Sequence, residues 1–432
     1  MLDIKFIREN PELIKLAAKK KKINFDVDAL LKVEEKRSAL LAEVESMRSL
    51  QNSFTDKIAS ATDQADRQGM IDQMKVFKEK LAEKEDRLKE VMEAWRGLMV
   101  QVPNVPDVTV PYGESDADNK EVRRWGEPTK FSFEAKSHVD LMLAHDMADF
   151  ERGTKVAGFR GYFLKGDGVL LANAVWQLAL KHWCEKQFVP MLVPSLVRRE
   201  TFMGTGYLPQ GEEDLYKTQD GDFLAGTGEV ATMGYYMDEV IDLPQSEQGG
   251  ALGAIKFLAF SPCFRREAGA HGKDTRGLIR VHEFFKWEQV VLCEANHETS
   301  VALHEAINRN TEEFIELLNI PYHTVVNCGG DLGLGQVKKY DIELWVPGEG
   351  TYREISSASY FHDFQTRRLN TRYRDAAGKM RFAHSLNCTA IPTPRILVSI
   401  IENYQQEDGT IKVPDALLPY MMGKTVIGQK NS

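Results

Sequence analysis

Residues 261–289, SPCFRREAGAHGKDTRGLIRVHEFFKWEQ, hold the densest set of groups able to act on a phosphate or a carboxylate. Arg265 and Glu267 follow an apolar run. Gly269, His271, Gly272, Lys273, Arg276 and Gly277 then form a glycine-rich basic loop, after which Val281, Phe284, Phe285 and Trp287 resume a strand-like apolar pattern. The spacing predicts strand, loop, strand. An arginine held on a strand can fork onto a carboxylate or phosphate, a cationic loop can close over polyphosphate, and an aromatic ring can stack on a base. Each feature alone is weak, and F-R-R-E by itself is more often a surface ion pair.

Regular elements must hold these groups in place. Residues 169–186 carry Leu170, Leu171, Ala174, Trp176, Leu178 and Trp183 at mostly helical spacing, and FVPMLVPSLV follows as a short, proline-interrupted edge strand. In KKYDIELWV, Tyr340, Ile342, Leu344 and Val346 alternate with Lys339, Asp341, Glu343 and Trp345. A turn at PGEG and a second run at 351–356 complete a hairpin. No G-x-x-x-x-G-K-[ST] or G-x-G-x-x-G element follows a strand, so any ATP needs a cradle other than a P-loop or Rossmann turn. The remaining sheet is expected to be antiparallel.

With 432 residues, 43% hydrophobic and 28% charged, the chain has room for two or three domains and a large core. No run of about 20 apolar residues exists to span a bilayer, and the first residues lack a signal-peptide pattern, so the expectation is a cytoplasmic protein without a membrane partner. Five widely spaced cysteines without a C-x-x-C pair argue against a disulfide framework or a cysteine-rich zinc site and read as small buried thiols. The net charge of −9 argues against indiscriminate binding to phosphate backbones. Residues 1–110 balance 20 Lys and Arg against 20 Asp and Glu, so the whole excess falls on the rest. Two parts are implied, 1–110 and 111–432.

In the first part, Leu30, Val33, Leu40, Val44, Met47, Phe54 and Ile58 recur at heptad spacing, interrupted by Arg37 and Gln51. Met70, Met74, Phe77, Leu81, Leu88, Val91, Trp95 and Leu98 form a second series, interrupted by Lys84. The polar residues 60–69 supply a turn between two helices, the first roughly 43 Å long. Pro103, Pro106 and Pro111 then end the second helix. Periodicity alone favours a dimerisation coil or spacer. Lys19 to Lys22, Arg37, Arg48, Lys57 and Arg67 are scattered cations able to meet RNA phosphates.

F-R-x-E, a variable loop and T-R-G-L-I-R-x-H-x-F-x-K-x-E together resemble motif 2 of class II aminoacyl-tRNA synthetases, and the length of the match resembles the seryl-tRNA synthetases in particular. The opening LDIKFIRENPELIK and the helical hairpin resemble that family's tRNA-binding arm. EISSASYFHDFQTRRLNTRYR resembles its E-[IV]-S-S…DFQ.RR segment, and SLNCTAIPTPRILVSIIENYQ with VPDALLPYM resembles its C-terminal region, which includes motif 3. Pro194 falls where motif 1 contributes to the family's dimer interface. The resemblance implies an α+β protein: an N-terminal antiparallel two-helix coiled-coil arm, and a catalytic domain on an antiparallel β-sheet flanked by helices.

Carried over residue by residue, the resemblance implies that Thr227, Gly228, Glu229, Arg265, Glu288 and Thr389 surround serine. Glu229 would meet the ammonium, and Glu288 and Thr389 would test for the hydroxyl. For ATP it implies Arg265, Arg266, Glu267, Val281, Phe284 against the adenine, Glu354, Ile355, Ser356, Ser357, and Arg395 at the γ-phosphate. Arg265, Glu267 and Arg395 are the implied catalytic residues, and Glu354 and Ser357 the implied ligands of Mg²⁺. The implied reaction is serine–tRNA ligation by a homodimer, with L-serine, ATP and tRNA(Ser) as substrates and tRNA(Sec) as a further acceptor.

Two positions depart from the family pattern. Where T-A-E-V-P is common, this chain reads Thr227-Gly228-Glu229-Val230-Ala231, with backbone freedom expected at Gly228. Where many bacterial members have N-G-S-G-L-A-x-G-R, it reads Asn387-Cys388-Thr389-Ala390-Ile391-Pro392-Thr393-Pro394-Arg395. The rival readings are a non-catalytic RNA-binding paralogue, which would be expected to lose the pocket's charges, a ligase charging a carrier protein, for which the arm is unnecessary, and a coiled-coil scaffold, which fits only 1–110.

Overall fold

The computed structural model describes residues 1–60, 62–244, 253–269, 272 and 274–428. These fold as two compact units, one comprising residues 2–19 and 23–103, the other residue 1, residues 20–22 and residues 104–432. Among the described residues no helix is long and apolar enough to cross a membrane.

The first unit is dominated by two long helices, α1 (Val27–Ser60) and α2 (Gln64–Met99), packed along their length. Every apolar position of the two heptad series is buried or half-buried, while their neighbours are mostly exposed. The three interruptions also face the seam. Arg37 pairs with the buried Glu34 at 2.7 Å and lies over the Trp95 ring at 4.9 Å, and Lys84 reaches across to Glu43 at 2.7 Å. Here the structure corrects the expected turn. Asp63 caps α2 by accepting from the backbone N–H groups of Ala65 and Asp66, so residues 64–69 are helix although most of them are polar. Among the scattered cations, Arg37 and Arg48 are held in ion pairs, and Lys57 lies over the Phe54 ring. Lys21 is buried in the second unit, donating to the carbonyls of Gly333, Leu334 and Gln336. Lys21 is thereby withdrawn from solvent, whereas Arg48 and Lys57 remain exposed.

The second unit is built on an eight-stranded sheet. Its strands are β1 (Lys120–Trp125), β2 (Val189–Leu192), β3 (Ala254–Phe264), β4 (Glu283–Cys293), β5 (Tyr322–Val326), β6 (Lys338–Val346), β7 (Thr351–His362) and β8 (His384–Thr393). Their order is β1-β5-β6-β7-β8-β4-β3-β2, antiparallel except for the β3/β2 pair. Central β4 is buried along most of its length, whereas the edges are unlike it. β1 is charged, and β2 carries Pro190, two devices that discourage further pairing.

Helices α3 (Gly166–Glu185) and α5 (His297–Leu317) pack against this sheet. Trp183 and Phe314 meet at 5.1 Å between ring centroids within the main core, which also takes Val291, Leu386 and Ile342 from the strands. Two further helices bear on the cavity, α4 (Gly228–Gly234) and α6 (Arg395–Asn403). All five cysteines are free; four are buried as expected, but Cys184 is exposed on α3.

Candidate active site

A cavity of about 700 Å³ opens beside the ends of β3, β6 and β7, lined among others by Thr227, Arg265, Glu267, Arg280, Glu354 and Arg395. A smaller pocket sharing its arginines adds Val281, Phe284, Lys286, Ile355 and Thr389. Thus segments far apart in sequence converge on one space.

Arg265 stands just beyond β3. Its backbone N–H donates to the His282 carbonyl at 2.9 Å, its Nε donates to the Gly226 carbonyl at 3.3 Å, and its guanidinium lies 5.3 Å from the Phe284 ring centroid. Arg395, the first residue of α6, donates to the carbonyls of Glu354 at 2.6 Å and Ile279 at 3.2 Å. Burial, together with Arg265 and Arg280, holds its pKa below the usual guanidinium range, while Glu354 opposes that shift. Glu267 receives Arg280 at 2.7 Å, and Asp274 ties Arg280 to Arg353. His271 and Lys273 lie outside the described residues. Arg266 does not line the cavity and donates to the Glu213 carbonyl at 2.9 Å.

The inner end is polar and buried. Thr227 caps α4, and the next residue, Gly228, sits so close to β3 that a Cβ there would lie 3.2 Å from the Ala259 side chain. Space, rather than the expected backbone freedom, is what this glycine supplies. Glu229 is 1% exposed and accepts from Tyr207 Oη at 2.9 Å and Gln365 Nε2 at 2.7 Å. Burial, reinforced by Glu288, raises its pKa to about 7, against the opposing effects of Gln365, Tyr207 and Lys286. Glu288 is paired with the equally buried Lys286, whose Nζ also donates to Thr227 Oγ1 at 2.7 Å and Thr389 Oγ1 at 3.4 Å. The pairing of β4 with β8 slips between Trp287 and Glu288, so that Ala390 is the extra residue and Thr389 stands opposite Glu288.

A second slip, between Ile342 and Glu343, leaves Ile355 as the extra residue of β7. Glu354 therefore pairs with Glu343 and Ser357 with Asp341, all on one face. Ser356 points elsewhere, its hydroxyl donating to the Thr389 carbonyl. Asp341 is 6% exposed, and burial raises its pKa. Among the described residues no three His, Cys, Asp or Glu side chains form a metal cage. The hard oxygen donors of Glu354 and Ser357 on one face fit a cation that keeps waters and shares phosphate oxygens, as Mg²⁺ does.

Residues 223–404 match the tRNA synthetase class II core domain of the G, H, P, S and T enzymes, and residues 1–106 match the seryl-tRNA synthetase N-terminal domain. A serine–tRNA ligase of Deinococcus radiodurans is 43% identical over 430 residues, covering 99% of each chain. The chain belongs to the seryl-tRNA synthetase family. Its activity is accordingly that of a serine–tRNA ligase, an ATP-using aminoacyl-tRNA synthetase. The crystal structure of a seryl-tRNA synthetase from Pyrococcus horikoshii complexed with ATP superposes with a TM-score of 0.88 at 36% identity, covering 99% of each chain. The cytoplasmic enzyme of Naegleria fowleri, in complex with AMP, gives 0.85 at 31%, with 100% of this chain and 99% of that one covered.

Sequence reading of this synthetase missed Lys286, Arg280, Asp274, Tyr207, Gln365 and Asp341. Lys286 carried a signal, since it lies two residues before Glu288 and so on the same strand face. Tyr207 carried none, because only the fold brings it to Glu229.

Proposed function

We propose that the cavity activates L-serine with ATP and passes the seryl group to tRNA(Ser), with tRNA(Sec) as a further acceptor. In the first step a serine carboxylate oxygen attacks the α-phosphorus, the bond to the bridging oxygen breaks, and pyrophosphate leaves. Arg265 holds the carboxylate and α-phosphate, Arg395 meets the γ-phosphate, and Phe284 supports the adenine. Fixed guanidinium groups act here by orientation and by stabilising charge as it moves onto pyrophosphate. Glu229 receives the ammonium, and Glu288 and Thr389 receive the hydroxyl. Glu354 and Ser357 would hold Mg²⁺, which would supply charge neutralisation at the phosphates. In the second step the terminal ribose hydroxyl of tRNA attacks the adenylate carbonyl and AMP leaves.

The observation that carries this reading is the convergence of Arg265, Glu267, Glu354 and Arg395 on the same space as the Thr227, Glu288 and Thr389 cluster. A paralogue without catalysis would be expected to have lost such groups. Residues 1–110 are the arm that meets tRNA in this reading, and 111–432 the catalytic domain, working in the cytoplasm as a homodimer. The apolar edge near Pro194 supports the dimer, with Val189, Leu192 and Leu196 exposed by 56%, 83% and 52%. Aminoacylation of total tRNA with each of the twenty amino acids tests the function, with serine alone expected to charge. Serine-dependent exchange of labelled pyrophosphate into ATP should collapse in Arg265→Ala, and robust exchange in that variant removes the pocket assignment.

A further inference from the structure

Among the described residues, Lys286 is the buried charge at the inner end of the cavity to which the reading above gives no task. It is 4% exposed, shares a strand face with Glu288, and forms an ion pair with it. Its Nζ also donates to the hydroxyls of Thr227 and Thr389. Three of the groups assigned to serine therefore converge on a single ammonium. Glu229 is held differently, by the neutral donors Tyr207 and Gln365. Two buried carboxylates in one small pocket repel each other, and the chain places its cation against only one of them.

We infer that Lys286 is a positioning residue that divides the work between the two carboxylates. By pairing with Glu288 it leaves Glu229 as the carboxylate that still needs a cation, the substrate's α-ammonium, and makes Glu288, Thr227 and Thr389 an electrically balanced set that reads the side-chain hydroxyl. This rests on the serine-pocket assignment above. Because the threonine oxygens accept from Lys286, their hydrogens are free to point toward a ligand or toward Glu288. Alanine in place of serine leaves that polar set short of one buried hydrogen-bond partner, the loss by which a polar pocket rejects a substrate lacking a hydroxyl.

The charged and titratable groups acting on Glu229 are Glu288, Tyr207 and Lys286, with Arg265 acting on Tyr207. Glu288 raises the Glu229 pKa and Lys286 lowers it. Removal of Lys286 alone should therefore push Glu229 further up. Only ionised Glu229 holds an ammonium well, so the acid limb of kcat/KM for serine should move to higher pH.

The test is serine-dependent pyrophosphate exchange across pH for the full chain, Lys286→Met, and the double variant Lys286→Met/Glu288→Gln, with ATP KM and melting measured alongside. Lys286→Met should shift the acid limb upward by about one pH unit and raise serine KM roughly tenfold or more, with ATP KM unchanged. The double variant, which removes both charges, should return the limb to its wild-type position while losing at least about tenfold of the preference for serine over alanine. A purely structural lysine would lower the melting temperature without moving the limb. A folded Lys286→Met enzyme with wild-type limb and serine KM overturns the proposal. Should that variant fail to fold, wild-type serine preference in the double variant overturns it. Wild-type serine KM in Glu229→Gln and Thr389→Val would instead remove the pocket assignment itself, and the proposal with it.

Discussion

Glu354 and Ser357 face the same side of the sheet although they are three positions apart, because the pairing of β6 with β7 slips at Ile355. On an uninterrupted strand, positions i and i+3 point to opposite faces. The bulge restores the alternation that the spacing would have broken, and it sets both oxygens beside Asp341 and Glu343. Glu354→Gln should raise the Mg²⁺ concentration needed for half-maximal pyrophosphate exchange by roughly 10- to 100-fold, and Ser357→Ala by less. Chelation with EDTA should abolish exchange in the wild type, and titration with MgCl₂ measures all three effects.

Glu229 links activity to pH and to stability. Its folded pKa of about 7 lies above the ordinary 4.5, so the folded state holds this proton more tightly than the unfolded chain does. The stabilising contribution is complete below pH 4.5 and is lost as pH rises through about 7, a change of roughly 3 kcal/mol. Glu229→Gln should accordingly gain stability relative to wild type between pH 5 and pH 8 by up to that amount while losing serine affinity. Denaturant melts at the two pH values, with serine KM, check both.

Arg395 meets the Glu354 and Ile279 carbonyls from the start of α6, so its guanidinium links three segments around the cavity. Arg395→Ala should lower the rate of exchange by about 10²- to 10³-fold, the usual result of removing a group aimed at developing charge. Arg395→Lys should recover little of this, because an ammonium cannot reproduce the fork. Rates at saturating serine and ATP provide the measurement.

The arm's seam offers a separate test. Leu81 and Val44 are 5% and 1% exposed, so an aspartate at either position places an unpaired charge between α1 and α2. Val44→Asp should unfold the distal hairpin and abolish tRNA charging while leaving serine-dependent exchange within about twofold, since the exchange uses no tRNA. By contrast, Lys84→Ala removes an exposed pair and should cost less than about 1 kcal/mol. Circular dichroism melts and the two assays read these outcomes.

The hairpin was legible in the sequence because a heptad seam is a local, repeated signal, and even its interruptions Arg37 and Lys84 follow the register. The strands on either side of Arg265 and the hairpin turning at PGEG were legible for the same reason. The start of α2 was not, because one aspartate cap outweighed a mostly polar stretch. Neither were the two bulges. They shift by one residue which side chains share a face, and nothing in the composition of Ile355 or Ala390 marks them. Partners such as Tyr207 and Gln365 meet Glu229 only through the tertiary fold, where spacing along the chain carries no information.

The Asp63 cap at the start of α2 has a consequence for how such an arm can change in length. With Asp63 capping the start of α2 and the heptad positions of both helices buried or half-buried in a shared seam, an insertion in α1 alone would throw later contacts with α2 out of phase. Growth or shortening without loss of the seam must come as matched seven-residue blocks, one in each strand of the hairpin. Its reach is then adjustable only in increments of about 10 Å.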